Sequence, residues 1–295
     1  LDTMLEYVPE HIVNDYGGQR IDLEGAANAI YEFNKAILDA VHEYIPAVKI
    51  QIAYYELYGP YGLEAFRKTA QYARAKDLLV IGDIKRNDIG PTAKAYASAY
   101  LGETKLKKGA VRVFDLDFVT VNPYLGSDGV MPFIEICRSS GKGIFVLVKT
   151  SNPSSGEFQD LNVQSAKLYQ RVAAKVNEWG QELIGSTGYS QVGAVVGATY
   201  PRQLEELRKI MPNIFFLIPG YGAQGGGAED VLGGFNDDGL GAVINASRSV
   251  ICAYMRSPWK ERFSPEEFSE AARAEVLRMR QEIDSGLAKK GIKPW

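Results

Sequence analysis

Seven short apolar, β-rich runs recur along these 295 residues, each followed by a loop and a longer segment of helical period. The runs are 47–53, 78–84, 118–122, 144–148, 192–197, 214–218 and 242–245. Strands that alternate with helices pair in parallel, because a right-handed crossover helix must return each strand to the same end of the sheet. A strand ending at Leu1-Asp2 makes eight, and eight strands close a (β/α)8 TIM barrel, for which this length is ordinary. The first strand is then truncated at the N-terminus. A barrel lacking most of one strand exposes two sheet edges, so the native chain is expected to carry residues before Leu1. With no linker and no shift in composition, residues 1–295 are expected to form one catalytic domain. An open doubly wound sheet is the alternative architecture.

The helical segments carry apolar stripes, with Ala26, Ala27, Ile30, Phe33, Ile37, Leu38 and Val41 on one and Leu63, Phe66, Ala70 and Ala73 on another. Ser264-Pro265-Glu266-Glu267 has capping-box spacing and starts a last helix that is expected to reach about Ser285. A composition of 46% hydrophobic and 23% charged residues suits a large buried core, and a net charge of −3 offers nothing to nucleic acid or an anionic membrane. Two cysteines make no disulfide framework, no apolar run reaches bilayer length, and the start lacks a basic-then-apolar leader, so a cytoplasmic location is expected.

Reactive side chains are densest at the end of the second run, Asp83-Ile84-Lys85-Arg86-Asn87-Asp88-Ile89-Gly90-Pro91-Thr92. Strand alternation places Leu79, Ile81, Asp83 and Lys85 on one face. Lys49 interrupts the preceding apolar run, on the face it shares with Gln51. A buried lysine is costly unless a carboxylate accompanies it, and Asp83 on the next strand is the natural partner. A structural ion-pair network would explain one such residue; two lysines and two aspartates converging from adjacent strands favour chemistry.

Late in the chain, Pro219-Gly220-Tyr221-Gly222-Ala223-Gln224-Gly225-Gly226-Gly227 follows the sixth of these runs, and Ser247-Arg248 follows the last. In (β/α)8 barrels these two loops, after strands seven and eight, often bind phosphate. Glycine N–H groups approach the anion, and an arginine pairs with it bidentately. Gly220, Gly222 and Gly225 also fit G-x-G-x-x-G, but too little chain remains for a dinucleotide domain. His11 and His42 have no ligand spacing, so no metal is expected. Lys149, ending a strand, reads as a solvated residue rather than a Schiff-base lysine.

The stretch from Asp83 to Thr92 resembles the D-x-K-x-x-D-I-x-x-T signature of the orotidine 5′-phosphate decarboxylase family, in its longer bacterial branch. The likeness extends to Leu1-Asp2, to Ala47-Val48-Lys49, and to Pro219-Gly220 with Gln224 and Arg248. It implies decarboxylation of orotidine 5′-phosphate to UMP and CO2, the last step of pyrimidine synthesis, with no cofactor. Asp83 would sit against the substrate carboxylate and Lys85 would protonate C6. Lys49 and Asp88 would complete a charge array, and Asp2 would bind ribose. Pro219, Gln224, Gly225 and Arg248 would hold phosphate. Ser151 would read the pyrimidine, with Thr150 and Asn152 competing, and Asn122 would line the base pocket. Ile89 lies in the same substrate-binding stretch. The family's matches to Asp88 and Thr92 enter the neighbouring site, which implies a homodimer. Mg²⁺-dependent sugar-phosphate decarboxylases and aldolases share D-x-K-x-x-D, but they carry an acidic metal ligand where Lys49 stands here. A non-catalytic nucleotide-binding barrel and a Schiff-base aldolase also compete with the decarboxylase reading.

Overall fold

A strand buried on both faces has no reason to alternate polar with apolar residues, and most of the continuous apolar runs form such strands, the half-buried last one excepted. The computed structural model describes residues 1–17, 22–222 and 226–292. In chain order the strands are β1 (Ala47–Gln51), β2 (Leu79–Arg86), a small hairpin of β3 (Thr104–Lys105) and β4 (Ala110–Val111), then β5 (Phe118–Val121) and β6 (Gly143–Lys149). A second hairpin, β7 (Asn162–Val163) with β8 (Ala166–Lys167), precedes β9 (Val192–Val196), β10 (Phe216–Pro219) and β11 (Ala242–Asn245). The seven-stranded sheet is ordered β1-β2-β5-β6-β9-β10-β11. That order follows the sequence throughout, as in a (β/α)8 barrel, whereas a doubly wound sheet reverses direction at a switch point. No helix among the described residues is long and apolar enough to cross a membrane.

Contacts divide the chain into two units. Leu1–Ile84, Val113–Asp117 and Ser247–Arg280 form the first, and Lys85–Arg112, Phe118–Ala246 and Gln281–Trp295 form the second. In the first unit, Asp22 accepts from Gly25 N at 2.8 Å and so starts the helix Leu23–Val41. The apolar stripe of that helix is buried, and Phe33 stacks on Phe268 with ring centroids 4.8 Å apart. Phe66, on the helix Gly59–Ala75, meets the Tyr55 ring edge-on at 5.4 Å. The last helix runs over Phe268–Lys289, a turn longer than its periodicity suggests, after a 3₁₀ turn in which Glu267 accepts from Ser264 N at 3.0 Å. β1 lies parallel to β2 with Lys49 opposite Ile81 and Gln51 opposite Asp83. Leu1 is not assigned to a strand, but its N meets Lys49 O and its O accepts from Gln51 N at 3.4 Å, which ties it to β1.

In the second unit, β5, β6 and β9 are almost wholly buried; the helices Ser127–Ser140 and Leu168–Gly180 pack on β6, and Leu168–Gly180 also on β9. Among the described residues, no carboxylate pairs with the buried guanidinium of Arg208. It donates instead to the carbonyls of Gly234, Met211, Ile214 and Gly241 at 2.7–3.0 Å, and lies 3.7 Å from the centre of the Phe216 ring. Burial lowers its pKa to about 10. It fastens together loops that lead into the strands.

Candidate active site

The centre of the first unit's chemistry is a buried lysine. Lys49 is 8% exposed and Asp83 7%, and Lys49 Nζ lies 2.8 Å from Asp83 Oδ2. The parallel register places Gln51 beside Asp83, and Gln51 Nε2 donates to the same Oδ2 at 2.9 Å. On the other side of the ammonium, Asp2 Oδ1 lies 3.6 Å away, and Asp2 N donates to Ser247 Oγ at 3.3 Å. Burial alone would lower the lysine pKa, but Asp83 and then Asp2 outweigh it and hold Lys49 above the usual lysine range. Burial likewise works to raise Asp2, but Lys49, the Leu1 ammonium and the Ser247 hydroxyl together hold that carboxyl below its ordinary value. Next to Asp2, the buried Thr3 hydroxyl donates to Asn34 Oδ1 at 2.6 Å, and Asn34 Nδ2 donates to Tyr55 OH at 2.9 Å. This chain of bonds fixes the backbone that carries Asp2.

Lys85 belongs to the second unit. Its φ of +46° lies in the left-handed region, which a side chain with a Cβ enters only at a cost. Its N–H donates to Thr120 Oγ1 at 2.9 Å, so a β5 side chain supports the unusual backbone. The alternation that puts Leu79, Ile81 and Asp83 on one face therefore does not carry through to Lys85 unchanged. Arg86 stacks on Tyr96 and Tyr100, 5.7 and 6.0 Å from the ring centres. Asn87 and Asp88 press on the first turn of the helix Ser127–Ser140, where a Cβ on Gly129 would lie 3.0 Å from Asn87 Oδ1 and 3.1 Å from Asp88 O. Asp88 Oδ1 accepts from Ile89 N at 2.8 Å, and Ile89 and Thr92 are exposed.

Beyond β5, Asn122 Oδ1 accepts from Tyr124 N at 3.0 Å and shapes the turn there. Beyond β6, Thr150 N donates to Gln159 Oε1 at 2.9 Å, Gln159 Nε2 to Thr150 Oγ1 at 2.8 Å, and Thr150 Oγ1 to Asn152 Oδ1 at 2.6 Å. Ser151 stands between them, and among the described residues its hydroxyl has no hydrogen-bond partner. Its backbone is pressed against Gly197, where a Cβ would lie 2.9 Å from Ser151 Cα. After β10, Pro219 O accepts from Ala198 N at 2.9 Å, and Gly220 and Gly222 take φ of +104° and +76° to start the glycine-rich loop. Gln224 and Gly225 lie outside the described residues. In the first unit, Arg248 is exposed at the start of the helix Arg248–Ile251.

A family model described as "Orotidine 5'-phosphate decarboxylase / HUMPS family" matches residues 22–257. The chain belongs to that family. The Caldicellulosiruptor saccharolyticus orotidine 5′-phosphate decarboxylase is 46% identical over 255 residues, which cover 86% of this chain and 84% of that protein. The Rhodopirellula baltica orotidine 5′-phosphate decarboxylase is 43% identical over 283 residues, covering 96% and 92%. Among solved structures, Leishmania donovani OMP decarboxylase aligns with a TM-score of 0.65 at 30% identity, covering 91% of this chain and 98% of that one.

Of the residues singled out from this family's signature and its surroundings, the structure joins Asp2, Lys49 and Asp83 in one buried cluster. It adds Gln51 and the Thr3–Asn34–Tyr55 chain, which no local pattern signals: each hydrogen bond there links residues more than twenty positions apart. Lys149 corrects an expectation. It is not solvated but 0% exposed, with Nζ 3.0 Å from both Asp160 oxygens, 3.2 Å from Ser155 Oγ and 4.6 Å from the centre of the Tyr200 ring. Between Leu147 and Lys149 the pairing of β6 with β9 slips by one residue. Such a bulge re-aims a side chain, here toward Tyr169 and Tyr200 at the starts of two helices.

Proposed function

We propose that the chain is a carboxy-lyase that converts orotidine 5′-phosphate to UMP and CO2, the final step of de novo pyrimidine nucleotide synthesis. It acts as a single catalytic domain over residues 1–295, as a cytoplasmic homodimer. The observation that carries this reading is the buried Lys49 pinned between Asp83 and Asp2. Electrostatic groups fixed before the substrate arrives cost no reorganisation when charge develops, and this is the form such catalysis takes.

In the reaction the bond from C6 to the carboxylate breaks, CO2 leaves, and the electron pair remains on C6 in the plane of the ring. The Lys85 ammonium stabilises that carbanion and transfers a proton to it; solvent then reprotonates the amine. Asp83, held by Lys49 and Gln51, sits against the substrate carboxylate and favours its departure. Asp88 of the neighbouring subunit completes the alternation of charge, Thr92 of that subunit contacts the substrate, and Ile89 lines the same stretch. Asp2 and Lys49 bind the ribose hydroxyls. Ser151 reads the pyrimidine edge, a choice supported by the mutual engagement of Thr150 and Asn152, and Asn122 lines the base pocket. Arg248, with Pro219, Gln224 and Gly225, holds the phosphate. Binding energy from the remote phosphate is spent on ordering the charged array. Barrier reductions of about 8–23 kcal/mol are typical of enzymes, more than any one ion pair supplies, so preorganisation of the whole set is required.

A magnesium-dependent sugar-phosphate reaction needs an acidic ligand at the position of Lys49, which this chain replaces with a cation. The test is the ultraviolet absorbance of orotidine 5′-phosphate on adding the purified protein with EDTA present. Conversion to UMP supports the reading; turnover that stops with EDTA and returns with Mg²⁺ overturns its metal-free chemistry, and no turnover in either condition overturns the activity.

A further inference from the structure

A lysine with no water around it needs a reason to be there, because its ammonium must be compensated at every donor. Lys149 is the last residue of β6, immediately before Thr150 and Ser151, and is 0% exposed. Its ammonium donates to both carboxylate oxygens of Asp160 at 3.0 Å and to Ser155 Oγ at 3.2 Å. Tyr200 and Tyr169 enclose it with ring centres at 4.6 and 5.7 Å. No face of the amine is open to a carbonyl substrate, which removes the Schiff-base reading. The hydrogen-bonded compensation comes from the chain that follows: Ser155 and Asp160 are six and eleven residues further on.

The loop 150–160 is thus tied back on its own root at several points. Lys149 grips Ser155 and Asp160 from beneath, Gln159 clasps the Thr150 N–H and hydroxyl, and Lys167 Nζ donates to Asp160 O at 2.9 Å. Thr199 adds a bond to Ser151 O at 3.3 Å, and Gly197 N donates to Lys149 O at 2.8 Å. Thr150 and Asn152 engage each other, and the Ser151 hydroxyl is left for a ligand. The bulge at the end of β6 makes this possible, because it turns the lysine toward the two tyrosines at the helix starts.

We propose that Lys149 is a positioning residue for recognition of the pyrimidine: its buried ammonium anchors the loop 150–160 and holds the Ser151 hydroxyl in place to bond the base. It acts through Ser151 and touches no substrate atom. The inference rests on the reading of Ser151 as the residue that contacts the base.

The test uses two ligands that differ only in the base. Dissociation constants for UMP and for ribose 5-phosphate are measured by calorimetry for the wild type, Lys149→Met, Ser151→Ala and the double variant, with thermal unfolding of each. Lys149→Met is expected to weaken UMP about tenfold, as for the loss of roughly one hydrogen bond, and to leave ribose 5-phosphate within twofold. Because both changes remove one contact, the double variant should bind UMP about as well as the weaker single variant. Equal losses for both ligands, or none for either, would show a purely structural lysine and overturn the proposal. If Lys149→Met does not fold, Asp160→Asn serves. Its side chain is partly exposed, it keeps an acceptor for Lys149, and a several-fold loss confined to UMP is expected, with an unchanged ratio refuting the anchor. Ser151→Ala separates the two layers of argument. If it leaves the UMP to ribose 5-phosphate ratio unchanged, the base-reader assignment fails and the proposal with it. If it lowers the ratio while Lys149→Met does not, only the role of Lys149 fails.

Discussion

Replacing Lys49 with methionine keeps most of the volume of the side chain and removes its charge. At an effective dielectric of about 20, a contact of 2.8 Å to Asp83 is a gross attraction of about 6 kcal/mol, and 3.6 Å to Asp2 about 5 kcal/mol. Desolvation of three charged groups offsets most of this, so those sums are not the stability at stake. What the substitution leaves behind is Asp83, 7% exposed, with Gln51 still donating to it but without the Lys49 cation, and Asp2 with access to some water. Removing one partner of a buried pair costs about 3–5 kcal/mol. The remaining Gln51 bond and the partial exposure of Asp2 place this case near the lower end, about 3 kcal/mol, or a fall in Tm of about 6–12 °C. The pH dependence is a second readout. Lys49 is raised in the folded state, so its contribution is complete below the unfolded lysine pKa of about 10.4 and is lost as pH rises through the folded value. Asp2 is lowered, so its contribution is present above 3.8 and is lost as pH falls through its folded value. In the variant Asp2 loses the cation that holds its carboxyl low and has less stability to lose on acidification, so the deficit should shrink between pH 7 and pH 4. Differential scanning calorimetry of both proteins at the two pH values decides the matter. An unchanged Tm at pH 7, or a deficit that does not shrink at pH 4, would show that Lys49 does not compensate these carboxylates.

Gly197→Ala places a Cβ 2.9 Å from the Ser151 backbone. The strain of overpacking should cost about 1–3 kcal/mol in a denaturant titration, and UMP should bind several-fold more weakly while ribose 5-phosphate does not. Arg208→Leu strands the carbonyls of Gly234 and Ile214, while Gly241 O keeps Phe216 N and Met211 O keeps Ile214 N. At roughly 1–3 kcal/mol for each unsatisfied group, a loss of about 2–6 kcal/mol is expected in urea, with kcat at low temperature unchanged. Burial pushes the Cys137 thiol up to about 12 and Cys252 up to about 11. Neither should react with iodoacetamide at pH 8 in the native protein, and both should react in urea, as mass spectrometry of the labelled chain would show.

The strands are legible in the sequence because burial on both faces leaves a continuous apolar signature that needs no knowledge of partners. The first run stops short of its apolar limit, at Gln51 rather than Ala53, because Ile52 already has helical backbone. Lys49 is legible for the opposite reason: a charge inside such a run demands a carboxylate, and the neighbouring strand offers Asp83. The ties of Ser151 are not legible. Gln159 sits eight residues away in a segment without periodicity, and its clasp on Thr150 depends on a loop conformation that no pattern encodes. Lys149 reads as solvated from sequence because it ends a strand, and the one slipped pair with β9 that turns it inward leaves no local pattern. Arg208 gives no signal at all, since its partners are backbone carbonyls, which every residue has.

The proposed proton transfer from Lys85 to C6 is tested most directly by Lys85→Ala, assayed for turnover of orotidine 5′-phosphate alongside calorimetric binding of UMP. Turnover should disappear while UMP affinity stays within about tenfold, since in the proposed mechanism Lys85 acts on the transition state rather than on the bound nucleotide. Turnover close to that of the wild type would remove Lys85 from the mechanism.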